Sequence, residues 1–437
     1  MAHYHKPHHQ KISDYSSKRQ RSTTLKGRLK NFFTIPEEDL KEEPSKEFKT
    51  TKLFTLTKGN VFIGILLFMI LINILISFDI NFLYLRQILG FLFLITIPGL
   101  LIMLCFKIRN TGFWEYLVYT IGLSIAFIMF AGLAVNWTLP ALGITDKPLS
   151  LWPILISFNI FLLALWVTAV NRNQDFKPKP LAVPKLDALN NIFFIIPMFF
   201  PVLSILGAFL LNNHGPNILT MIMLGGIAVY VLLLTIFRKR LNKNIWPWAI
   251  FMISLSILLS WWLRSWFVSA VDPNKEFWVF QLTKNNFIWS INNYRDAYNA
   301  MLSITILPVI LSNIIKINDQ FIFKLIIYIL FSFVPLIMFL IFKRFIKKNV
   351  LIFFGSLFFI IQPYIIATPI RQAIAFLFFS LLFLILLEND LKLQTHKFFF
   401  IIFGASMIVS HYSTSYIALA ILIIINLIYF LFKPWKN

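Results

Sequence analysis

From about position 61 the chain is written as long apolar runs separated by short polar stretches. The runs fall, approximately, at 61–78, 88–106, 115–135, 151–170, 191–211, 217–237 and 246–263, and again at 322–342, 349–368, 371–387, 397–411 and 413–432. A helix of about 20 apolar residues crosses the hydrocarbon core of a bilayer, and each run has roughly that length. Barrel strands would alternate polar and apolar positions in shorter units, and these runs do not alternate. The pattern therefore predicts an all-α, polytopic transmembrane helical bundle of about 12 spans. Between the two groups lies the longest polar stretch after the first 59 residues, positions 264–300. It leads into "MLSITILPVILSN" (301–313), apolar but short and broken by Pro308, which predicts a helix lying on the membrane or re-entering it. Residues 1–59 are polar and unpatterned, and are expected to form a disordered tail. The first run starts near Val61, too late for a cleaved signal peptide, so it reads as a signal anchor. Pro98, Pro197, Pro201 and Pro335 lie inside runs, where neighbouring helices satisfy the freed carbonyls.

Composition agrees with this picture. Charged residues make up 13% of the chain, against about a quarter in soluble domains. The net charge of +22 would suit nucleic acid, but most basic residues flank the apolar runs, so the reading is no nucleic acid partner and a positive-inside bias instead. With the tail inside and 301–313 not crossing, 31 of the 40 Lys and Arg fall inside and nine outside. If 301–313 crossed, "KRFIKK" (343–348) would face outward. The charge rule thus predicts a cell-membrane protein with both termini cytoplasmic. It divides the chain into the tail (1–59), a six-span block (60–243) and a second membrane module (244–437) with an outer loop at 264–320. Cys105 is alone and forms no internal disulfide. The "HYHKPHH" stretch lacks the acidic or thiol ligands that would complete a metal site, and reads as solvated tail.

No Asp, Glu, Lys, Arg or His falls in the middle of a run; Glu115 and Lys324 are near run ends. Burying such a group costs at least about 2.5–3.5 kcal/mol, which ion-coupled transporters accept at a midplane site. Its absence argues against proton- or sodium-coupled transport. Polar chemistry collects instead on the outer face: Arg264, Asp272, Lys275, Glu276, Lys284, Arg295 and Asp296, interleaved with Trp278, Trp289, Tyr294 and Tyr298. Two outer turns add Arg371 and Gln372 ("TPIRQ") and His411 and Tyr412 ("SHYSTSY"). Taken singly, each has an ordinary reading: aromatic interface anchors, a snorkelling Arg371, a satisfied His411, solvated loop acids. Their combination on one face, above apolar helices, points to a lipid-linked sugar donor. Its polyprenyl tail needs an apolar groove. Its phosphate needs cations, which Arg supplies with bidentate geometry. The acceptor hydroxyl needs a base.

The segments "LRQILGFLFLITIPGLLIMLCFKI", "GLSIAFIMFAGLAVNW", "YNAMLSITILPVILSN", "RQAIAFLFFSLLFLILL" and "SHYSTSYIALA" resemble, in that order, an archaeal family of multi-pass membrane proteins carrying a domain of unknown function, over about residues 80–425. The second half also resembles the membrane module of GT-C glycosyltransferases, in which an outer loop after an early span carries an acidic motif and interfacial helices. Here that loop is 264–320 and the acids are Asp272 and Glu276, separated by three residues where the superfamily often has two adjacent acids. The resemblance implies transfer of sugar from a polyprenyl-phosphate donor to a glycan, lipid or protein acceptor, with membrane lipids around it. On the residues' own chemistry, Asp272 is the expected general base and Asp296 its competitor; Glu276 either orients the acceptor or ligates a divalent metal (Mg or Mn). Arg295, Arg371, Gln372, His411 and Tyr412 are the expected donor contacts. Two other functions stay open: a flippase or transporter of lipid-linked glycan, and a non-catalytic membrane scaffold.

Overall fold

The computed structural model describes residues 50–108, 111–184, 187–388 and 391–432. The first group of apolar runs forms α1 (Lys58–Ser77), α2 (Leu85–Cys105), α3 (Phe113–Ala141), α4 (Leu151–Arg172), α5 (Ala188–Asn212), α6 (Ile218–Ile236) and α7 (Ile245–Trp262). The polar connection contains α8 (Val271–Asn286) and the short α9 (Ile306–Ile315). Then come α10 (Asp319–Phe342), α11 (Asn349–Ile360), α12 (Ile370–Leu386), α13 (Leu393–Ile408) and α14 (Tyr412–Phe432).

Eight of these, α1–α7 and α10, are long and apolar enough to cross a membrane. Ile63 and Leu67 on α1, Ile156 and Ile160 on α4, and Met221 and Leu232 on α6 point outward and are exposed. An apolar surface that extensive is stable only in an apolar surrounding, which places the bundle in a membrane. The remaining apolar helices, α11, α12, α13 and the described apolar part of α14 (Tyr412–Ile428), are shorter than that. The run expected as one span over 349–368 is broken. α11 stops at Ile360, and Pro363–Ile366 forms a separate turn of helix. Pro363 has no N–H to continue the ladder, and Gln362 before it is extended (φ −68°, ψ 128°).

Most of α3 and α10 is buried, whereas α1, α4, α5 and α6 keep most of their surface outward. The closest approach is between α2 and α3. Gly99, directly after Pro98, donates its N–H to Ser124 Oγ at 2.8 Å. A Cβ there would lie 1.9 Å from the Thr120 carbonyl oxygen. Small residues allow such backbone contact inside membranes, where dispersion replaces the hydrophobic effect. The first six helices divide their contacts. α1–α4 pack on one another, α2, α3 and α4 pack on α9, and α3 also packs on α12 and α13, while α5 and α6 form a hairpin packed mainly on α7.

α9 has ten residues, half of a crossing length, and lies within one end of the bundle. Just before it, Leu302 N–H donates to the Val409 carbonyl at the end of α13 (2.8 Å). At its far end, Arg86 of α2 donates to the carbonyls of Asn313 (3.0 Å) and Ile314 (2.9 Å). At the opposite end of the bundle, Lys107 pairs with Asp175 and Arg344 with Glu388. Helix is not the whole architecture. Thr50–Leu56, inside the stretch expected as tail, pair antiparallel with Lys179–Pro184. Residues 1–49 lie outside the described residues, and with them the histidines of "HYHKPHH".

Candidate functional site at the junction of α8 and α12

Asp272 and Glu276 stand one helical turn apart on α8, the spacing that puts both on one face. That face meets the start of α12. Pro369, with extended backbone, begins α12 and leaves its first amides without helical partners. Glu276 Oε2 accepts the Ile370 N–H at 2.9 Å, so a carboxyl group caps the positive end of the helix. The Glu276 side chain is 0% exposed. Burial pushes its carboxyl up to about 8, against the opposing pull of Arg371 and the α12 amides. Burial thus favours its neutral form.

Arg371 is the second residue of α12 and its side chain is only 7% exposed. Nη2 donates to Asp272 Oδ2 at 3.0 Å. Nε lies 3.4 Å from Glu276 Oε1, an ion-pair distance without hydrogen-bond alignment. Nε, Nη1 and Glu276 Oε1 are all buried with no hydrogen-bond partner among the described residues. The guanidinium stacks over the Tyr298 ring, 3.8 Å from its centroid. The Tyr298 hydroxyl donates to Asp272 Oδ1 at 2.9 Å. Asp272 is thus held by a cation and a phenol, yet its side chain remains 42% exposed.

Tyr298 also links the second acid. Asp296 Oδ1 accepts the Tyr298 N–H (2.9 Å), and Oδ2 accepts from Lys275 Nζ (3.0 Å) and the Tyr294 hydroxyl (3.2 Å). The Tyr298 amide, with Lys275 and Tyr294, holds the Asp296 carboxyl below the usual carboxylate range. Asp296 accepts three hydrogen bonds and its side chain is 27% exposed, against two bonds and 42% for Asp272, so Asp272 is the more open of the two acids. His411 lies in the turn between α13 and α14, buried, its Nδ1 2.8 Å from Thr414 Oγ1. Burial pushes its imidazole down to about 4; Arg371 lowers it further and Asp272 opposes. These influences place His411 within electrostatic range of the cluster as a neutral ring.

The structure thus brings together Asp272, Glu276 and Arg371, with Asp296 one residue away through Tyr298 and His411 nearby. Arg295 is exposed and donates to Asn292 Oδ1. Tyr412 is exposed beside the His411 ring, and Gln372 is half-buried on α12; none of these three enters the network. Tyr298 is the residue that sequence reasoning valued too little. Its signal was the pair Tyr294 and Tyr298, four apart in "NNYRDAYN", which reads equally well as interface anchors.

A cavity of about 350 Å³ opens beside Asp272. Trp261, Trp262, Pro273 and Pro369 give it apolar walls, and Arg264 stands at its edge. The Arg264 guanidinium lies 4.0 Å from the Trp261 ring centroid. Lys324, in the π-helical segment Ile322–Ile326 of α10, donates to the Ser265 carbonyl and holds this loop against the bundle. Among the described residues no three His, Cys, Asp or Glu side chains are grouped to hold a metal ion. The two α8 acids flank a guanidinium instead.

No family model, no curated protein and no solved structure matches this chain.

Proposed function

We propose that the Asp272–Glu276–Arg371 cluster is the reaction centre of a membrane glycosyltransferase that takes sugar from a polyprenyl-phosphate donor. The observation that carries this reading is Arg371, a buried guanidinium with two nitrogens lacking partners, joined to a part-exposed carboxylate, Asp272, that lines a cavity walled by Trp261 and Trp262. Unpartnered buried donors of that kind are paired when an anion arrives. In the proposed reaction Asp272 takes the proton of an acceptor hydroxyl, the hydroxyl oxygen forms a bond to the anomeric carbon, and the bond from that carbon to the phosphate oxygen breaks. The electron pair leaves with the lipid phosphate, and Arg371 answers the charge that develops there. Arg371 Nε and Nη1 are the nitrogens left for substrate, since Nη2 is held by Asp272.

In the fuller reading α11–α14 also cross the bilayer, giving twelve spans, with both termini in the cytoplasm of the cell membrane and the α8–α12 junction outside. The GT-C-like order of span, acidic segment and short apolar helix supports the same function. The test is transfer of labelled sugar from a polyprenyl-phosphate donor in membranes. Asp272→Asn should abolish transfer with abundance and insertion unchanged. Full transfer by that variant would overturn the assignment of the base. Movement of the donor across the bilayer without a new glycosidic bond would favour a transporter.

A further inference from the structure

A second polar crevice, of about 450 Å³, opens at the same end of the bundle between α1 and α4 on one side and α8 and α9 on the other. We infer that it binds the headgroup of an anionic phospholipid. Arg86, Lys284 and Lys316 line it, together with a single lining acid, Asp79. Asp319 adds a second carboxylate behind Lys284, bonded to it at 2.5 Å and to Ser312 Oγ at 2.6 Å. Three cations against two acids leave the crevice with net positive charge, complementary to a phosphodiester.

The cations are set in place before any ligand arrives. Arg86 Nη1 donates to Asp79 Oδ1 at 2.6 Å, while its other nitrogens hold the last carbonyls of α9. Lys316, in left-handed conformation (φ 55°) as the cap of α9, donates to Asp79 from the other side. The Lys316 side chain remains 55% exposed, so its charge faces the opening.

The level of the crevice selects a lipid over a free anion. Ser77 closes α1 and Leu151 opens α4, two helices of membrane length, and both line the crevice. It therefore sits where these helices leave the hydrocarbon. Trp152, half-exposed, belongs to the same lining and suits that interface. Below it on α4, Ile156 and Ile160 continue an exposed apolar stripe at four-residue spacing. The seam between α1 and α4 itself is closed, with a void of only about 10 Å³. An acyl chain accordingly runs down the outer stripe instead of threading between the helices. This site is separate from the proposed reaction centre, since Lys284 follows Asp272 by twelve residues on α8, about 18 Å along its axis.

The experiment is native mass spectrometry of the full chain in detergent, with phosphatidylglycerol or phosphatidylcholine of identical acyl chains. One phosphatidylglycerol should be retained in preference to phosphatidylcholine. Lys316→Gln, at an exposed position that does not endanger folding, should weaken retention about fivefold, and Lys284→Gln by a similar factor. Trp152→Ser should weaken retention of phosphatidylglycerol, and Lys239→Gln at the opposite end should leave it unchanged. Equal retention of the two lipids, an equal loss in Lys239→Gln, or full retention by Lys316→Gln would overturn the site. Displacement of phosphatidylglycerol by inorganic phosphate, with Trp152→Ser unchanged, would overturn the lipid in favour of a free anion.

Discussion

Arg371 occupies a position that lysine would not fill. Its guanidinium carbon lies over the Tyr298 ring while one nitrogen reaches Asp272 and another faces Glu276. A lysine keeps the charge and loses both the stack and the fork. Arg371→Lys is expected to lower transfer about 10²-fold, the usual loss when one preorganised donor is removed, with the protein still folded; single-turnover assays would read it. The neighbouring titrations have opposite signs. Glu276, raised from 4.5 to about 8, binds its proton more tightly in the folded state, so it favours folding at low pH and loses that contribution as pH rises toward 8. His411, lowered from 6.5 to about 4, makes a contribution that grows as pH rises through that interval. The two oppose each other below pH 6.5 and only the Glu276 loss remains above it. Thermal unfolding should therefore show stability falling between pH 6.5 and 8, and Glu276→Gln, which mimics the neutral acid, should remove that fall.

Helix ends and close approaches explain how the elements present these side chains. Ala270 adopts φ 85°, ψ 157° immediately before α8. That region belongs almost solely to glycine and costs a non-glycine residue about 1–3 kcal/mol. Ala270→Gly should raise the unfolding midpoint in detergent, and an unchanged or lower midpoint would show that the conformation carries no strain. Gly99 has the converse role. A Cβ would meet a backbone oxygen, not a movable side chain. Gly99→Leu should separate α2 from α3 and lower stability by about 1–3 kcal/mol or more. The break of α11 at Pro363 is also an element-scale event. The apolar run continues through it, so periodicity and hydropathy read one span, while the missing N–H and the extended Gln362 end the helix.

At the scale of the bundle, charge and connectivity agree. Arg86, Lys147, Arg264, Lys275, Lys284, Arg295, Lys316, Lys324 and Arg371 are the cations assigned by sequence to the outer side. Arg86, Lys275, Lys284, Lys324 and Arg371 among them bond to α8, α9 or their flanking loops, and Lys316, at the end of α9, bonds to Asp79 between α1 and α2. A reporter fused after Lys348 should read cytoplasmic, and a cysteine placed at Lys147 should be labelled from outside. An external Lys348 reporter would invert the second half of the chain.

Sequence alone was enough for the apolar runs, the polar interruption at 264–300 and the shortness of the apolar segment that forms α9. These follow from run length and charge distribution, which are local properties read along one chain. It also drew attention to Asp272 and Glu276, because acids are rare in so apolar a chain. Only the tertiary structure decided that Arg371, 99 residues beyond Asp272, is its partner and is buried instead of snorkelling to headgroups. Nor could spacing separate Asp296, the less exposed acid, from Asp272, or lift Tyr298 from anchor to platform. Hydropathy states that a helix faces an apolar surrounding, and it is the same for lipid and for protein. Which helix lies beside which depends on side-chain packing across the whole bundle, and that packing set the neighbours and burial of the residues at the site.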